Sequence, residues 1–71
     1  MIDDKLTLAR GNLDVAIEAF DVFIDDTDKC ELAFRTHSGR LRWQDERERL
    51  KADIVMAARE LRVLERQLVS A

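Results

Sequence analysis

The residues best suited to covalent chemistry in this chain are its single cysteine, Cys30, and its single histidine, His37. A cysteine nucleophile needs a neighbouring base and a group that orients that base, and the sequence assigns neither. A structural zinc site needs four ligands drawn mainly from cysteine and histidine, and one of each is too few. We therefore predict no catalytic residue, no metal site and no cofactor. We interpret Cys30 as a small buried apolar residue and His37 as a helix-end residue.

Five carboxylates form one acidic stripe, because they recur at spacings of four, three, four and three residues. They are Asp14, Glu18, Asp21, Asp25 and Asp28. Paired carboxylates carry acid–base chemistry when a pocket raises the pKa of one of them, and a two-helix chain offers no such pocket. The stripe could also meet a basic partner or hold a cation weakly. We interpret it as a solvent-exposed face opposite the core.

A cluster of arginines suggests contact with the phosphates of a nucleic acid. Its members are Arg40, Arg42, Arg47 and Arg49, and the acids Asp45, Glu46 and Glu48 are interleaved with them. The net charge of the chain is −3, which opposes a polyanionic ligand. Ion pairs within one helix explain the cluster better than nucleic-acid binding, although a helical-hairpin dimer can still bind RNA on one face.

These side chains must be positioned by helices. The chain has no proline, two glycines and 38% charged residues, which is typical of long helices. The strongest break is at 36–39, where Gly39 suits the left-handed position after a helix end and Thr36 or Ser38 can cap the next helix. We predict one domain, 1–71, with a helix at about 3–36, a turn at 37–39 and a helix at about 40–69.

Two places oppose a continuous first helix. A glycine such as Gly11 costs about 1 kcal/mol in a helix interior, and the run 25–28 could cap a new helix. A heptad repeat nevertheless passes through both without a slip. Its two rows are Leu6, Leu13, Phe20, Thr27, Phe34 and Ala9, Ala16, Phe23, Cys30, His37. We therefore predict a continuous helix.

The second helix repeats the heptad pattern, with one charge in its two rows. These rows are Trp43, Leu50, Ala57, Leu64 and Arg47, Ile54, Leu61, Leu68. Apolar heptads on two helices of similar length predict an all-α fold, a two-helix antiparallel hairpin with coiled-coil-like packing. The hairpin would complete a four-helix bundle as a dimer or with a partner.

A second apolar group lies beside the heptad rows of the first helix and widens its apolar arc to roughly 220° at 100° per residue. One neighbouring helix cannot cover that arc, and contiguous exposed apolar patches usually mark partner sites. Trp43 could extend this surface or plug the end of the core, and both interpretations stay open. The predicted partner-binding residues are Leu8, Val15, Ala19, Val22 and Trp43.

Chain length also favours a partner. Below about 70–80 residues a lone core rarely supplies more than 3–5 kcal/mol, and one cysteine among 71 residues excludes an internal disulfide. We expect a homodimer or a complex with a different protein. Residues 1–37 carry a net charge of −5 and residues 38–71 carry +2, which favours contact between unlike helices.

The predicted location of the protein rests on three features of the sequence. No apolar run is long enough to span a membrane, and the N-terminal residues lack the basic and apolar regions of a signal peptide. The lone cysteine favours a reducing compartment. We therefore predict a cytoplasmic protein that does not bind membranes.

The start of the second helix reads WQxExxxLxxxI, formed by Trp43, Gln44, Glu46, Leu50 and Ile54. This pattern, within residues 36–57, resembles the small co-chaperones of type III secretion needle proteins. The resemblance implies a cytoplasmic helical hairpin that joins a larger helical-repeat chaperone to hold the needle subunit before export. It also implies that Trp43, Leu50 and Ile54 are core or contact positions.

Taken together, these patterns predict a non-enzymatic protein-binding adaptor or regulator that acts through apolar helix faces. A secretion co-chaperone is the version that the resemblance implies. A small inhibitor encoded by a phage or other mobile element, which binds a host regulatory protein, is an alternative that the residues do not separate from it. A nucleic-acid-binding hairpin dimer is a second alternative.

Overall fold

A computed structural model describes residues 2–70 of the chain, which form three helices. They are α1 (Ile2–Asp25), α2 (Thr27–Ala33) and α3 (His37–Ser70), and no strand occurs within 2–70. The prediction of an all-α fold is confirmed. The chain forms three helices instead of the two expected. The first helix ends at Asp25 instead of about residue 36, and the last helix begins at His37 instead of about residue 40.

The continuous helix expected over 3–36 is wrong, because the chain leaves helical geometry at Asp26. This residue has φ −78° and ψ 80°, and its carboxylate accepts a hydrogen bond from the backbone N–H of Lys29 at 3.1 Å. It therefore acts as the N-cap of α2. The capping signal at 25–28 is stronger here than the heptad spacing that runs through it.

The turn expected at 37–39 is also wrong, because it lies at 34–36. The N–H of Phe34 donates to the carbonyl of Cys30 at 3.0 Å and closes α2. The hydroxyl of Thr36 accepts from the N–H of Gly39 at 2.9 Å and caps α3. Of the two expected capping residues, Thr36 and Ser38, Thr36 is therefore the one that caps α3.

Gly39 lies in the first turn of α3, not in the expected left-handed position, since no glycine in the described chain has a positive φ. The reason for glycine here is space. An added Cβ would collide with the backbone carbonyl of Ala33 and lie 2.8 Å from the hydroxyl oxygen of Thr36. Only a residue without a side chain lets α3 start this close to the end of α2.

The helices α1 and α3 run side by side in opposite directions. Leu8 near the start of α1 shares a hollow with Leu64 near the end of α3, and Phe23 near the end of α1 meets Trp43 near the start of α3. The short α2 packs against the first turns of α3. The result is a narrow molecule of 54 × 16 × 13 Å.

The heptad seam holds along α1 and ends at the break. Its members Leu6, Ala9 and Phe23 are buried, and they are the only buried side chains among those described. The remaining seam residues of the two helices are half-buried: Leu13, Ala16, Phe20, Trp43, Arg47, Leu50, Ile54, Ala57, Leu61 and Leu64. The expected seam positions Thr27, Phe34, His37 and Leu68 are exposed, and Cys30 in α2 is half-buried rather than buried. The core is therefore small.

Candidate functional site

An open hollow, which we call the α1/α3 groove, lies along one side of the molecule. It has a volume of about 490 Å³. Val15, Ala19 and Val22 form its α1 wall, and Glu46 and Leu50 form its α3 wall. It is also lined by Phe23 of the core, by Glu18 of α1, and by Asp26 and Lys29 at the junction with α2.

The α1 wall consists of three of the five residues predicted to bind a partner. They face the same side because residues three and four apart are neighbours on a helix surface. Val15 is 67% exposed and Val22 is 65% exposed, although both are apolar. The structure therefore places an uncovered apolar wall beside a groove, which sequence reasoning alone could describe only as a helix face.

Leu8, the fourth predicted residue, lies on the same side of α1 but two turns away from Val15. It is 66% exposed and lines a hollow of about 340 Å³ with Asn12, Glu60 and Leu64. Leu8 therefore extends the apolar row of α1 beyond the groove without sharing its lining.

Trp43, the fifth predicted residue, is not part of the exposed row. It is half-buried, its ring stacks on Phe23 with centroids 5.1 Å apart, and the edge of Phe34 lies 5.4 Å away. Its indole N–H is buried without an acceptor among the described residues. These contacts support the interpretation that Trp43 plugs the end of the core, and its contact with a partner stays a prediction.

The charges around the groove are mainly acidic. Glu18, Asp26 and Glu46 line it, against one base, Lys29. Glu46 pairs with the guanidinium of Arg49 at 3.4 Å, and the Lys29 ammonium lies 5.7 Å from the centroid of the Phe23 ring. Glu18 has no ion pair or hydrogen bond within residues 2–70. The α1 side of the groove therefore presents an unneutralised carboxylate.

Four members of the acidic stripe, Asp14, Glu18, Asp21 and Asp25, lie along α1 beside the apolar wall, and the fifth, Asp28, lies in α2 beyond the break. All five members are exposed, and none has an ion pair in the described part of the chain. No group of three or more residues of the types His, Cys, Asp and Glu in 2–70 is arranged to hold a metal ion. The stripe thus borders the apolar wall, and sequence reasoning had treated the two separately.

Gly11 is the residue near this surface that sequence reasoning undervalued. It is exposed, lies between Leu8 and Val15 along the helix, and has no atom within 4 Å of the position that a Cβ would take. Its cost to the helix was visible in the sequence, whereas the empty space around it was not. Glycine at this position has no packing reason within the described chain.

Two of the four arginines of the cluster, Arg47 and Arg49, form the intrahelical ion pairs that the sequence predicts, whereas Arg40 and Arg42 form none within residues 2–70. Arg47 lies 3.3 Å from Glu48, and Lys51 lies 3.7 Å from the same carboxylate. The Arg47 guanidinium also lies 5.5 Å from the centroid of the Trp43 ring, while its buried Nε finds no acceptor among the described residues. Arg47 and Arg49 therefore make their contacts with other residues of α3.

The remaining reactive side chain, Cys30, is a half-buried free thiol in α2. None of the helices in 2–70 has the combination of length and hydropathy needed to cross a bilayer. No family model matches the chain, and neither a curated protein nor a solved structure shows significant similarity to it.

Proposed function

We propose that the chain is a non-enzymatic protein-binding adaptor or regulator whose α1/α3 groove receives a helix of a partner protein. In this proposal α1 and α3 act as a helical hairpin, and the partner supplies the further helices of a bundle. The observation that carries the proposal is the exposure of Val15 and Val22 beside Leu50 in one groove.

The energetics favour covering this wall. Burying a valine or leucine side chain completely is worth about 1.5–3 kcal/mol, and Leu8, Val15 and Val22 are each about two-thirds exposed. With three buried side chains among those described, the chain has a small core of its own, so a partner would add substantially to its stability.

The secretion co-chaperone is the version of this proposal that the resemblance at residues 36–57 suggests. Of the residues that it names, Leu50 lines the groove, while Trp43 and Ile54 are half-buried seam residues. The partner would then be a larger helical-repeat chaperone. The phage-encoded inhibitor assigns the same groove to a host regulatory protein, so the identity of the partner distinguishes the two. Acidic groove residues disfavour the nucleic-acid alternative.

The test is a pair of double variants with matched chemistry. Val15→Asp with Val22→Asp puts two charges on the groove wall without touching the seam. Val63→Asp with Val69→Asp makes the same change at exposed valines of α3, which are 51% and 86% exposed and do not line the groove. Circular dichroism first establishes that both variants keep the helicity of the parent chain.

The measurement is capture of proteins from the native host by chemical cross-linking, followed by reconstitution with the purified captured protein. We expect a stoichiometric complex with the parent chain and the α3 control, and at least a tenfold loss of affinity for the groove variant, because an unpaired charge is costly to bury. Equal binding by both folded double variants would refute the groove as the binding site.

A further inference from the structure

We infer that the occupant of the α1/α3 groove is an amphipathic helix that carries lysine or arginine along one edge and approaches α1 closely at Gly11. This inference rests on the proposed function, since it specifies the chemistry of the partner at the same groove. Three features of the described residues lead to it: the charges at the groove, the glycine beside it and the shape of the surface.

Charge complementarity selects the edge of the incoming helix. The groove has three carboxylates against one ammonium group, and the other stripe members on α1, Asp14, Asp21 and Asp25, continue this charge along the helix. Arg49 lowers the effective charge of Glu46, so Glu18 and the stripe are the stronger determinants. A partner helix that lies against the apolar wall would place its basic edge beside them. Complementary charges at the rim of an interface steer association and fix its register.

Gly11 allows the backbone of a partner helix to approach the backbone of α1 closely. Replacing glycine by alanine in an exposed helix interior normally stabilises the helix by about 0.5–1 kcal/mol, and no described atom near Gly11 would hinder that change. Glycine at this position leaves a notch between Leu8 and Val15. A partner helix can lie against that notch at a distance that any side chain would prevent.

The length of the row sets the length of the occupant. Leu8 and Val22 are separated by fourteen residues, so the row extends for roughly 21 Å at 1.5 Å per residue. An incoming helix of about 14–16 residues, or four turns, would cover it.

A second copy of the chain fits this groove less well. A symmetric dimer places the same patch on both sides of the contact, so two copies of the groove would bring six carboxylates together against two ammonium groups. The hollow on the other side of the seam is lined by Arg59, Arg62 and Glu65 and is complementary in charge. Contact between these two different surfaces would be heterologous and would give a ring or an open filament rather than a symmetric dimer. We therefore assign the groove to a different protein.

The experiment uses the full chain and two labelled synthetic peptides. Both are hydrocarbon-stapled helices of about 16 residues with the same Leu and Ala face; one has Lys and Arg along its edge, and the other has Glu at the same positions. Fluorescence anisotropy gives the affinity of each. We expect the basic peptide to bind roughly tenfold more tightly at low salt, with the difference shrinking as salt screens the rim charges.

Two variants, each with a control, separate the parts of the inference. Glu18→Lys should reduce the preference for the basic peptide by roughly two- to fivefold, whereas Glu65→Lys, in the opposite hollow, should leave it unchanged. Gly11→Leu should weaken binding of the basic peptide by roughly tenfold or more while preserving helicity. Arg10→Leu adds the same side chain about 100° away around the helix and should bind normally.

The inference is overturned if both peptides bind equally, if neither binds, or if Gly11→Leu binds as well as the parent chain. It is also overturned if sedimentation shows self-association that Val15→Asp with Val22→Asp abolishes, because a second copy would then occupy the groove. Apart from self-association through the groove, none of these results contradicts the proposed function, provided that binding of a captured partner protein still requires Val15 and Val22. It fails separately when no captured protein depends on them.

Discussion

The Phe23 ring stacks on the indole of Trp43 with ring centroids 5.1 Å apart and an interplanar angle of 26°. This contact joins the last turns of α1 to the first turns of α3, and Phe34 adds an edge contact from the segment between α2 and α3. One aromatic cluster thus holds together the end of the molecule at which the chain reverses.

Phe23→Ala should therefore remove most of the stability of the chain. Truncating a buried phenylalanine typically costs about 3–5 kcal/mol, which matches the total that a core of this size supplies. Phe23→Leu keeps most of the volume and should cost less than about 1.5 kcal/mol. Thermal melting by circular dichroism measures both variants. Melting of Phe23→Ala within a few degrees of the parent would contradict the importance of this contact.

The two glycines should respond to alanine with opposite signs. Gly11→Ala should stabilise the isolated chain by about 0.5–1 kcal/mol, because helix propensity improves and the space is empty. Gly39→Ala should destabilise it by roughly 1–3 kcal/mol, because its Cβ would collide with the Ala33 carbonyl. Urea denaturation checks both, and a change of the same sign for the two variants would show that the start of α3 is described wrongly.

Replacing the carboxylates on either side of the helix junction should separate a cap from an ordinary surface charge. Asp26→Ala removes the acceptor of the Lys29 N–H and should cost about 0.5–2 kcal/mol. Asp25→Ala removes a negative charge from the C-terminal end of α1, where the helix dipole disfavours it, so stability should stay constant or rise slightly. Hydrogen exchange at the Lys29 amide gives the local readout. Equal protection in both variants would argue against the cap.

Arg47→Leu should stabilise the chain by about 1 kcal/mol. The substitution places an apolar residue in the seam and removes a buried Nε that lacks an acceptor, a defect worth about 1–3 kcal/mol. The lost contacts with Trp43 and Glu48 are worth less than about 1 kcal/mol each. Arg49→Leu, at an exposed position of the same helix, should change stability by less than about 0.5 kcal/mol. A clear loss of stability in Arg47→Leu would mean that the guanidinium contacts dominate.

The heptad pattern predicts the part of the fold that depends on repeated spacing. From Leu6 to Phe23 the expected seam residues are all buried or half-buried, because burial of an apolar stripe is the main force that pairs α1 with α3. Past Asp25 the same spacing is misleading. Thr27 and His37 continue the heptad in sequence and are exposed in the structure.

The helix break was not predicted because two local effects compete there. Capping by Asp26 is worth about 0.5–2 kcal/mol, and the break loses little seam burial, because Cys30 is still half-buried and Phe34 still contacts the Trp43 ring. Spacing does not reveal that balance. The same limit applies to Gly39, whose role depends on how closely α3 approaches the Ala33 carbonyl.

The exposed face of α1 could be predicted, and the groove could not. Helical geometry alone places Val15, Ala19 and Val22 on one side of α1. The opposite wall requires the relative position of two helices, which brings Glu46 and Leu50 to the groove. Trp43 shows the converse. Tryptophan is often found at interfaces, but the ring of Trp43 packs mainly against Phe23 and Phe34 within the chain.

The single non-helical residue at Asp26 has a consequence for how such a chain can change in evolution. Inserting one residue within a continuous helix rotates everything after it by about 100°, so an insertion near Ala16 would turn Phe20 and Phe23 out of the seam. At Asp26 the backbone is not helical, and a new helix, α2, begins from this N-cap. An extra residue in this junction can therefore be accommodated by a change of its dihedral angles, which leaves the seam of α1 and the contacts of α2 with α3 in register.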